Sequence, residues 1–442
     1  MLGEHLTCLV GISEPADYSR LAEHLPYEWI DQALSTTGTA SLRRRRLPAD
    51  RVLWLVIALA IYRSTSIDEV VHDLGLVLSP SGSACLSKSA VTQARQRCGQ
   101  APMQSLFQIS ACAWIGQQSR HYSLKGLSLW AIDGTTLRAA DSPENREHFG
   151  AQIYKNDRVA SSPQVRAVSL TSLPSHLVGA VRFGPYGTNE MLYAKSLITD
   201  VPNHSITVFD KGFLSAEILC ALRANGEQRH FVIPARCNTQ WERVSGSPRD
   251  QIVRMRVSPQ ARKKCPELGE TWQARCITGV DAHGRERALL TSLSERTQWR
   301  ASDIEKLYQR RWEIETSYRE LKQVMLGSAL TLRSRTVEGI YQEIWGALIG
   351  YNLIRVEMAA AARTGKIAPT DISFIRALHA MQHELWWAAR TRALAKLPAW
   401  LASMQQRLLE CTIQKRPGRR CPRAVKARPS KYTVRFLKKS LN

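Results

Sequence analysis

The apolar residues of this chain change their period at about residue 125, and that change limits the fold more than any other feature. Before it the spacing is helical. Leu47-Pro48-Ala49-Asp50 opens an apolar helix that runs to Tyr62, and Ser66-Ile67-Asp68-Glu69 has the form of a capping box. After it come short apolar runs bounded by turn residues, as in buried strands: Leu127 to Ile132, Val165 to Leu170, Leu177 to Phe183, Ile206 to Phe209 and Phe231 to Ile233. A helix is predicted over 189–199. The stretch 236–285, with Val/Arg alternation, Pro and Gly, predicts a strand-rich insertion, after which Ala288 to Thr291 restores a buried strand. Helical spacing returns at Ser302 and persists to about Leu409. Val337, Ile340, Ile344, Leu348 and Tyr351 predict the apolar face of one long helix over 336–365. The chain thus reads as α/β in four parts: a helical region 1–120, a mixed region 121–335, a helical region 336–412 and a basic tail 413–442.

A chain of 442 residues, 44% of them hydrophobic, can pack more than one core. Its 61 Lys and Arg outnumber 38 Asp and Glu, for a formal charge of +23. The excess is clustered in Arg43 to Arg46 and in Lys415 to Lys439, which carries eleven cations and no acid, so a polyanionic partner is expected, nucleic acid ahead of an acidic membrane. The longest apolar run, Val52 to Tyr62, is too short to span a bilayer. Glu4 and Glu14 fall where a signal peptide would be cationic and then apolar. Ten cysteines without a CxxC pair suggest neither a zinc ribbon nor a disulfide framework, and a reducing cytoplasm is the simplest setting.

Two segments carry candidate binding chemistry. Ser79-Pro-Ser-Gly-Ser83 leads to a polar helix, Lys88 to Arg97, that bears Ser89, Thr92, Gln93, Arg95 and Arg97. This fits a helix-turn-helix reader of DNA and equally an ordinary amphipathic helix with a solvated face. Further on, Tyr308, Arg311, Glu315 and Lys322 are spaced three, four and seven apart, so on one continuous helix they share a face.

The acids follow a second pattern. Asp133 comes after Leu-Trp-Ala-Ile, in Asp-Gly-Thr-Thr, and Asp210 after Thr-Val-Phe, in Asp-Lys-Gly-Phe; each is expected where a strand runs out into a turn. Either could merely mark a surface turn. With Glu315 they make three hard oxygen ligands, a set that can hold two Mg²⁺ or Mn²⁺ ions for phosphodiester chemistry. No phosphate-binding GxxxxGK[ST] loop, GxSxG elbow or HExxH motif competes, and the eleven histidines form no ligand pattern; His379 and His383, four apart, read as a solvated or packed pair.

Taken together, these motifs resemble the DDE transposases of bacterial insertion sequences, in the insertion sequence 4 family. Tyr308, Arg311, Glu315 and Lys322 match that family's Y-(2)-R-(3)-E-(6)-K signature at every position. The resemblance runs from Leu47-Pro48-Ala49 to about residue 350. It implies an RNase H-like core with Asp133 on the first strand, Asp210 after the fourth and Glu315 on the helix that follows the insertion. It also implies double-stranded DNA partners, namely the element's terminal inverted repeats and a target, bound by a homodimer in a synaptic complex with two metal ions per site. Tyr308, Arg311 and Lys322 would then hold the DNA end's phosphates, with Lys211 and Arg319 as nearby cations. The implied route is strand hydrolysis, hairpin formation, hairpin opening and strand transfer. One departure weakens the hairpin step: relatives stack a flipped base on an insertion tryptophan, and here Arg287 stands before Ala288-Leu-Leu-Thr291, leaving Trp241, Trp272 and Trp299 as substitutes or as core residues. A non-catalytic DNA-binding derivative and an RNase H-like nuclease acting on branched DNA are the alternatives.

Overall fold

The computed structural model describes residues 24–40, 47–73, 87–119, 121–154, 158–280, 286–327, 332–390, 397–413 and 434–436. The Arg43 to Arg46 run, the Ser79 to Ser83 turn and most of the basic tail lie outside the described residues.

Among the described residues five helices precede the first strand: α1 (Tyr27–Thr36), α2 (Ala49–Ile61), α3 (Ile67–Asp73), α4 (Lys88–Cys98) and α5 (Ala101–Ser119). The capping box at α3 forms as expected, with the Ser66 N–H donating to Glu69 Oε2 at 3.0 Å and the Glu69 N–H to Ser66 Oγ at 3.3 Å. Ser87 Oγ caps α4 by accepting from the Ala90 N–H at 3.2 Å, and Gly99 ends it at φ +66°.

The strands are β1 (Ser123–Leu124), β2 (Leu127–Arg138), β3 (Ile153–Tyr154), β4 (Arg158–Ala160), β5 (Gln164–Ser172), β6 (Val178–Pro185), β7 (Ser205–Phe209), β8 (Arg229–Pro234), β9 (Glu242–Ser247), β10 (Asp250–Arg256), β11 (Thr271–Val280) and β12 (Glu286–Thr291). Helices α6 (Pro143–Phe149), α7 (Glu190–Leu197), α8 (Ala216–Ala224) and α9 (Pro259–Lys264) are interspersed. One mixed sheet runs in the order β6-β5-β2-β7-β8-β12-β11-β10-β9, with β2, β7 and β8 parallel and the remaining pairs antiparallel. The strands expected as an insertion are present, and they prolong this sheet: β12 covers the edge of β8, pairing Leu290 with Ile233, and β11, β10 and β9 follow outward. An uncovered β8 would leave a row of unpaired backbone groups.

Alternation sorts the two faces of the sheet. Trp130, Ile132 and Phe209 pack with Leu219 and Leu222 of α8 on one side. Leu129, Ala131 and Val208 pack on the other against Trp299 and against Leu307 and Ile314 of the next two helices, α10 (Ala301–Gln309) and α11 (Trp312–Arg319). Residues 133 and 210, next in alternation, therefore fall on the α10/α11 face.

Two expectations about helices are corrected. The helix expected from Ser302 is not continuous: α10 ends at Gln309, a turn intervenes, α11 begins at Trp312, and Glu320–Met325 forms a π-helical segment. The long helix α12 (Val337–Thr364) is not a one-faced amphipath, since Ile340, Gln342 through Ala362 are all buried. It is enclosed by α2, α5, α13 (Phe374–Arg390) and α14 (Leu397–Glu410). Gly346 permits the close approach of α2, because a Cβ there would lie 2.5 Å from Val56 Cγ1. Beyond the helices, β13 (Val434–Phe436) pairs with β4.

Candidate active site

The register of β2 against β7 brings two carboxylates together. The last parallel rung pairs Ile132 with Phe209, so Asp133 and Asp210 emerge side by side where β7 stops. Asp210 opens a short 3₁₀ turn (Lys211–Phe213), its Oδ2 accepting from the Gly212 N–H at 3.4 Å. Asp133 does not end its strand. β2 continues to Arg138 along β5, with Asp133 opposite Ser169. Gly134 is thus a strand residue and not part of a turn; a Cβ there would lie 2.9 Å from the Glu190 carboxyl carbon, so the Glu190 side chain would have to shift.

Helix α11 supplies the third acid and is pinned to β2 by Tyr318, whose hydroxyl lies 2.5 Å from the Asp133 carbonyl oxygen and 2.8 Å from Ser169 Oγ. Glu315 Oε1 accepts from Arg311 Nη2 at 2.7 Å, and Arg311 Nη1 stands 3.8 Å from Asp133 Oδ2. One guanidinium, with its side chain 12% exposed, therefore reaches two of the three acids. It does not compensate them. Burial pushes the Asp133 carboxyl up to about 6 from the ordinary 3.8; Asp210 and Glu315 add to the rise, while the Gly134 N–H and Arg311 oppose it. Among the described residues no three His, Cys, Asp or Glu side chains close into a ready ligand set. The donor chemistry nonetheless fits a hard divalent cation, since Asp210 and Glu315 both lie near enough to Asp133 to raise its carboxyl, and Asp133 is short of positive charge.

The other signature residues lie around these acids, although the helix beneath them is broken. Tyr308, in the last turn of α10, stacks under the Arg287 guanidinium, which lies 4.9 Å from its ring centroid, and burial raises its hydroxyl pKa. Lys322 Nζ donates to Thr135 Oγ1 at 3.1 Å, two residues along β2 from Asp133. Lys211 and Arg319 are exposed. Arg236 clamps the turn after Asp210, donating to the carbonyls of Lys211 and Gly212 at 3.1 and 2.8 Å. Arg287, where the resemblance leads one to expect an aromatic, thus lays a guanidinium on Tyr308. Of the three tryptophans, Trp299 is a buried core residue under Lys125, and Trp241 and Trp272 pack half-buried against the core on the opposite face.

The α4 residues divide. Ser89, Thr92, Gln93 and Arg97 are exposed, whereas Arg95 turns inward to donate to Gln342 Oε1 at 2.9 Å and Ser334 Oγ at 3.3 Å. That removes Arg95 from the expected reading face, because its guanidinium is held against α12. His379 and His383 are both exposed. The sequence reading missed Tyr318, Thr135 and Arg236. Tyr318 alone had a signal, lying three residues after Glu315 on the same turn.

A family model described as the transposase DDE domain matches residues 125–353, and one described as the insertion element 4 transposase N-terminal region matches residues 15–108. The transposase InsG for insertion sequence element IS4, of Escherichia coli, is 37% identical over 416 residues, 93% of this chain and 92% of that protein. A probable transposase for insertion sequence element IS5377, of Geobacillus stearothermophilus, is 29% identical over 272 residues, 59% of this chain and 64% of that protein. A piggyBac transposase synaptic complex with hairpin DNA overlays on 90% of this chain and 85% of its own at 12% identity, with a TM-score of 0.44, too loose to define the fold.

Proposed function

The chain belongs to the DDE transposases of the insertion element 4 family, enzymes of DNA cleavage and strand transfer, and from that premise we propose that it moves an insertion sequence by cut-and-paste. The observation that carries this reading is the pairing of Asp133 and Asp210 by strand register beneath Glu315. Strands β6-β5-β2-β7-β8, with the first two antiparallel and the last three parallel, form an RNase H-like core on this reading, and β9 to β12 are the insertion.

Asp133, Asp210 and Glu315 would hold the metal. Bound there, two Mg²⁺ or Mn²⁺ ions would activate the attacking water or 3′-hydroxyl and stabilise the leaving oxygen. The protein's own contribution is positional. Tyr318 fixes α11 on β2, so Glu315 faces the strand acids. Lys322 and Arg311 bind phosphates of the DNA end as a point charge and a fork, with Tyr308, Lys211 and Arg319 beside them. Arg311 exchanges its carboxylates for a phosphate when DNA arrives. Ser89, Thr92, Gln93 and Arg97 of α4 contact the terminal inverted repeat, and the basic tail contacts the backbone without reading sequence. A hairpin intermediate belongs to this route, with the Arg287–Tyr308 stack beside the DNA end in place of an aromatic.

Two protomers, one per element end, act in the cytoplasm on double-stranded DNA. The buried α12 offers no pairing face, so their contact is made elsewhere. Incubation with duplexes carrying the element's inverted repeats and Mg²⁺ should give 3′-hydroxyl ends and joined products with target DNA. Cleavage without any joined product would instead indicate a nuclease, and binding without cleavage a non-catalytic derivative.

A further inference from the structure

Lys322 lies inside the π-segment Glu320–Met325, so the geometry of that segment decides where its ammonium points. Such segments are uncommon, since their wider turns pack poorly, and they recur at functional sites. A buried chain of polar side chains grips this one. The Tyr351 hydroxyl donates to Glu320 Oε2 at 2.9 Å, and Arg355 Nη2 stands 3.1 Å from the same oxygen. Arg355 also meets His176 Nδ1. His176 Nδ1 also lies 3.3 Å from Glu320 Oε2, and His176 Nε2 stands 2.8 Å from Glu313 Oε2.

The chain of bonds thus runs from Tyr351 and Arg355 of α12 through Glu320 on one side and through His176 to Glu313 on the other. Its two ends hold the first residue of the π-segment and a residue of α11 two positions before Glu315. His176 is kept for this at φ +61°, a region few non-glycine residues occupy, in the turn between β5 and β6. Apolar packing holds the segment more loosely on its other side, where Leu321, Leu326, Ile344 and Leu348 line a gap with Thr135.

We propose that Glu320, Arg355 and His176 are positioning residues that lock the π register and thereby aim Lys322 at Thr135, beside Asp133 and Glu315. Reversion to α-helical geometry would rotate Lys322 about the helix axis and away from Thr135. The proposal rests on Lys322 being a DNA-end contact, and the experiment keeps the two claims apart.

Single-turnover cleavage of pre-bound end DNA is measured in a double-mutant cycle combining Lys322→Ala with the pair Glu320→Leu and Arg355→Met, apolar replacements of a kind that buried ion pairs often tolerate. The apolar pair should slow cleavage about 10- to 100-fold, as expected for a misplacement near 1 Å, with end-DNA affinity little changed. Adding Lys322→Ala to it should cost nothing further. Glu320→Gln, which keeps an acceptor for Tyr351 and Arg355, should recover most of the rate. If the apolar variant does not fold, Tyr351→Phe takes its place in the same cycle. Additive losses, or wild-type cleavage by the apolar variant, overturn the positioning role. A silent Lys322→Ala in the wild-type background instead overturns the reading of Lys322, and this proposal with it.

Discussion

Two aspartates on the same sheet have opposite fates. Asp250, on β10, accepts from both Nε and Nη2 of the buried Arg275 at 2.8 and 2.7 Å and from Arg296 Nε at 3.2 Å; these partners hold its carboxyl below the usual range. Asp133 has one backbone N–H and a guanidinium 3.8 Å away, with two other carboxylates nearby, and its carboxyl is pushed up. Their side chains are nearly equally exposed, 21% and 20%, but desolvation is the largest influence on Asp133, whereas at Asp250 the Arg275 hydrogen bonds outweigh it, so the two differ in whether partners offset burial. A fully paired buried acid is a structural clamp. An under-paired one beside two more acids is a site prepared for a cation.

Substitutions should widen that contrast. Asp250→Asn leaves Arg275 buried without its counter-ion and should destabilise the protein by about 3–5 kcal/mol at pH 7. Because the folded-state pKa of Asp250 is depressed, its stabilisation is complete above the unfolded value of 3.8 and fades as pH falls below it, so urea unfolding of wild type and variant should converge in acid. Asp133→Asn should act in the opposite sense. A raised folded-state pKa means stability is lost as pH rises from 3.8 to about 6, so removing the charge should stabilise the metal-free protein by about 1–3 kcal/mol at pH 7 and by nothing near pH 3. The same variant should not cleave DNA, and a metal-free protein that Asp133→Asn destabilises at pH 7 would break the comparison. Tyr318→Phe is the mildest test. It removes the bond to the Asp133 carbonyl and should cost about 1 kcal/mol in thermal unfolding while slowing cleavage more than it weakens end-DNA binding.

Only the Asp133 side of this contrast left a trace in the sequence. Strand runs ending at Ile132 and Phe209 put both acids at strand ends, which holds for Asp210, whereas Asp133 lies within β2. The extension of β2 beyond Asp133 was not legible: Asp-Gly reads as a turn unless the partner strand β5 and the Glu190 carboxylate are in view. The Tyr308 to Lys322 spacing was read on one continuous helix; the structure breaks that helix yet keeps Arg311 on Glu315 and Lys322 on Thr135. The break after Gln309 and the π-segment depend on contacts with β2, α12 and His176, up to 179 positions apart in sequence. Arg95 illustrates the same limit, since nothing in Lys88 to Arg97 tells which cation turns inward to Gln342.

The central claim is that Asp133, Asp210 and Glu315 jointly bind a divalent cation, and Mn²⁺ binding measured by paramagnetic resonance on the protein bound to end DNA tests it most directly. Wild type and a folded Asp250→Asn protein should bind Mn²⁺ alike, and Asp133→Asn, Asp210→Asn and Glu315→Gln should each bind at least about tenfold more weakly, the loss of roughly 1.4 kcal/mol or more. Undiminished Mn²⁺ binding by the triple variant would contradict the account.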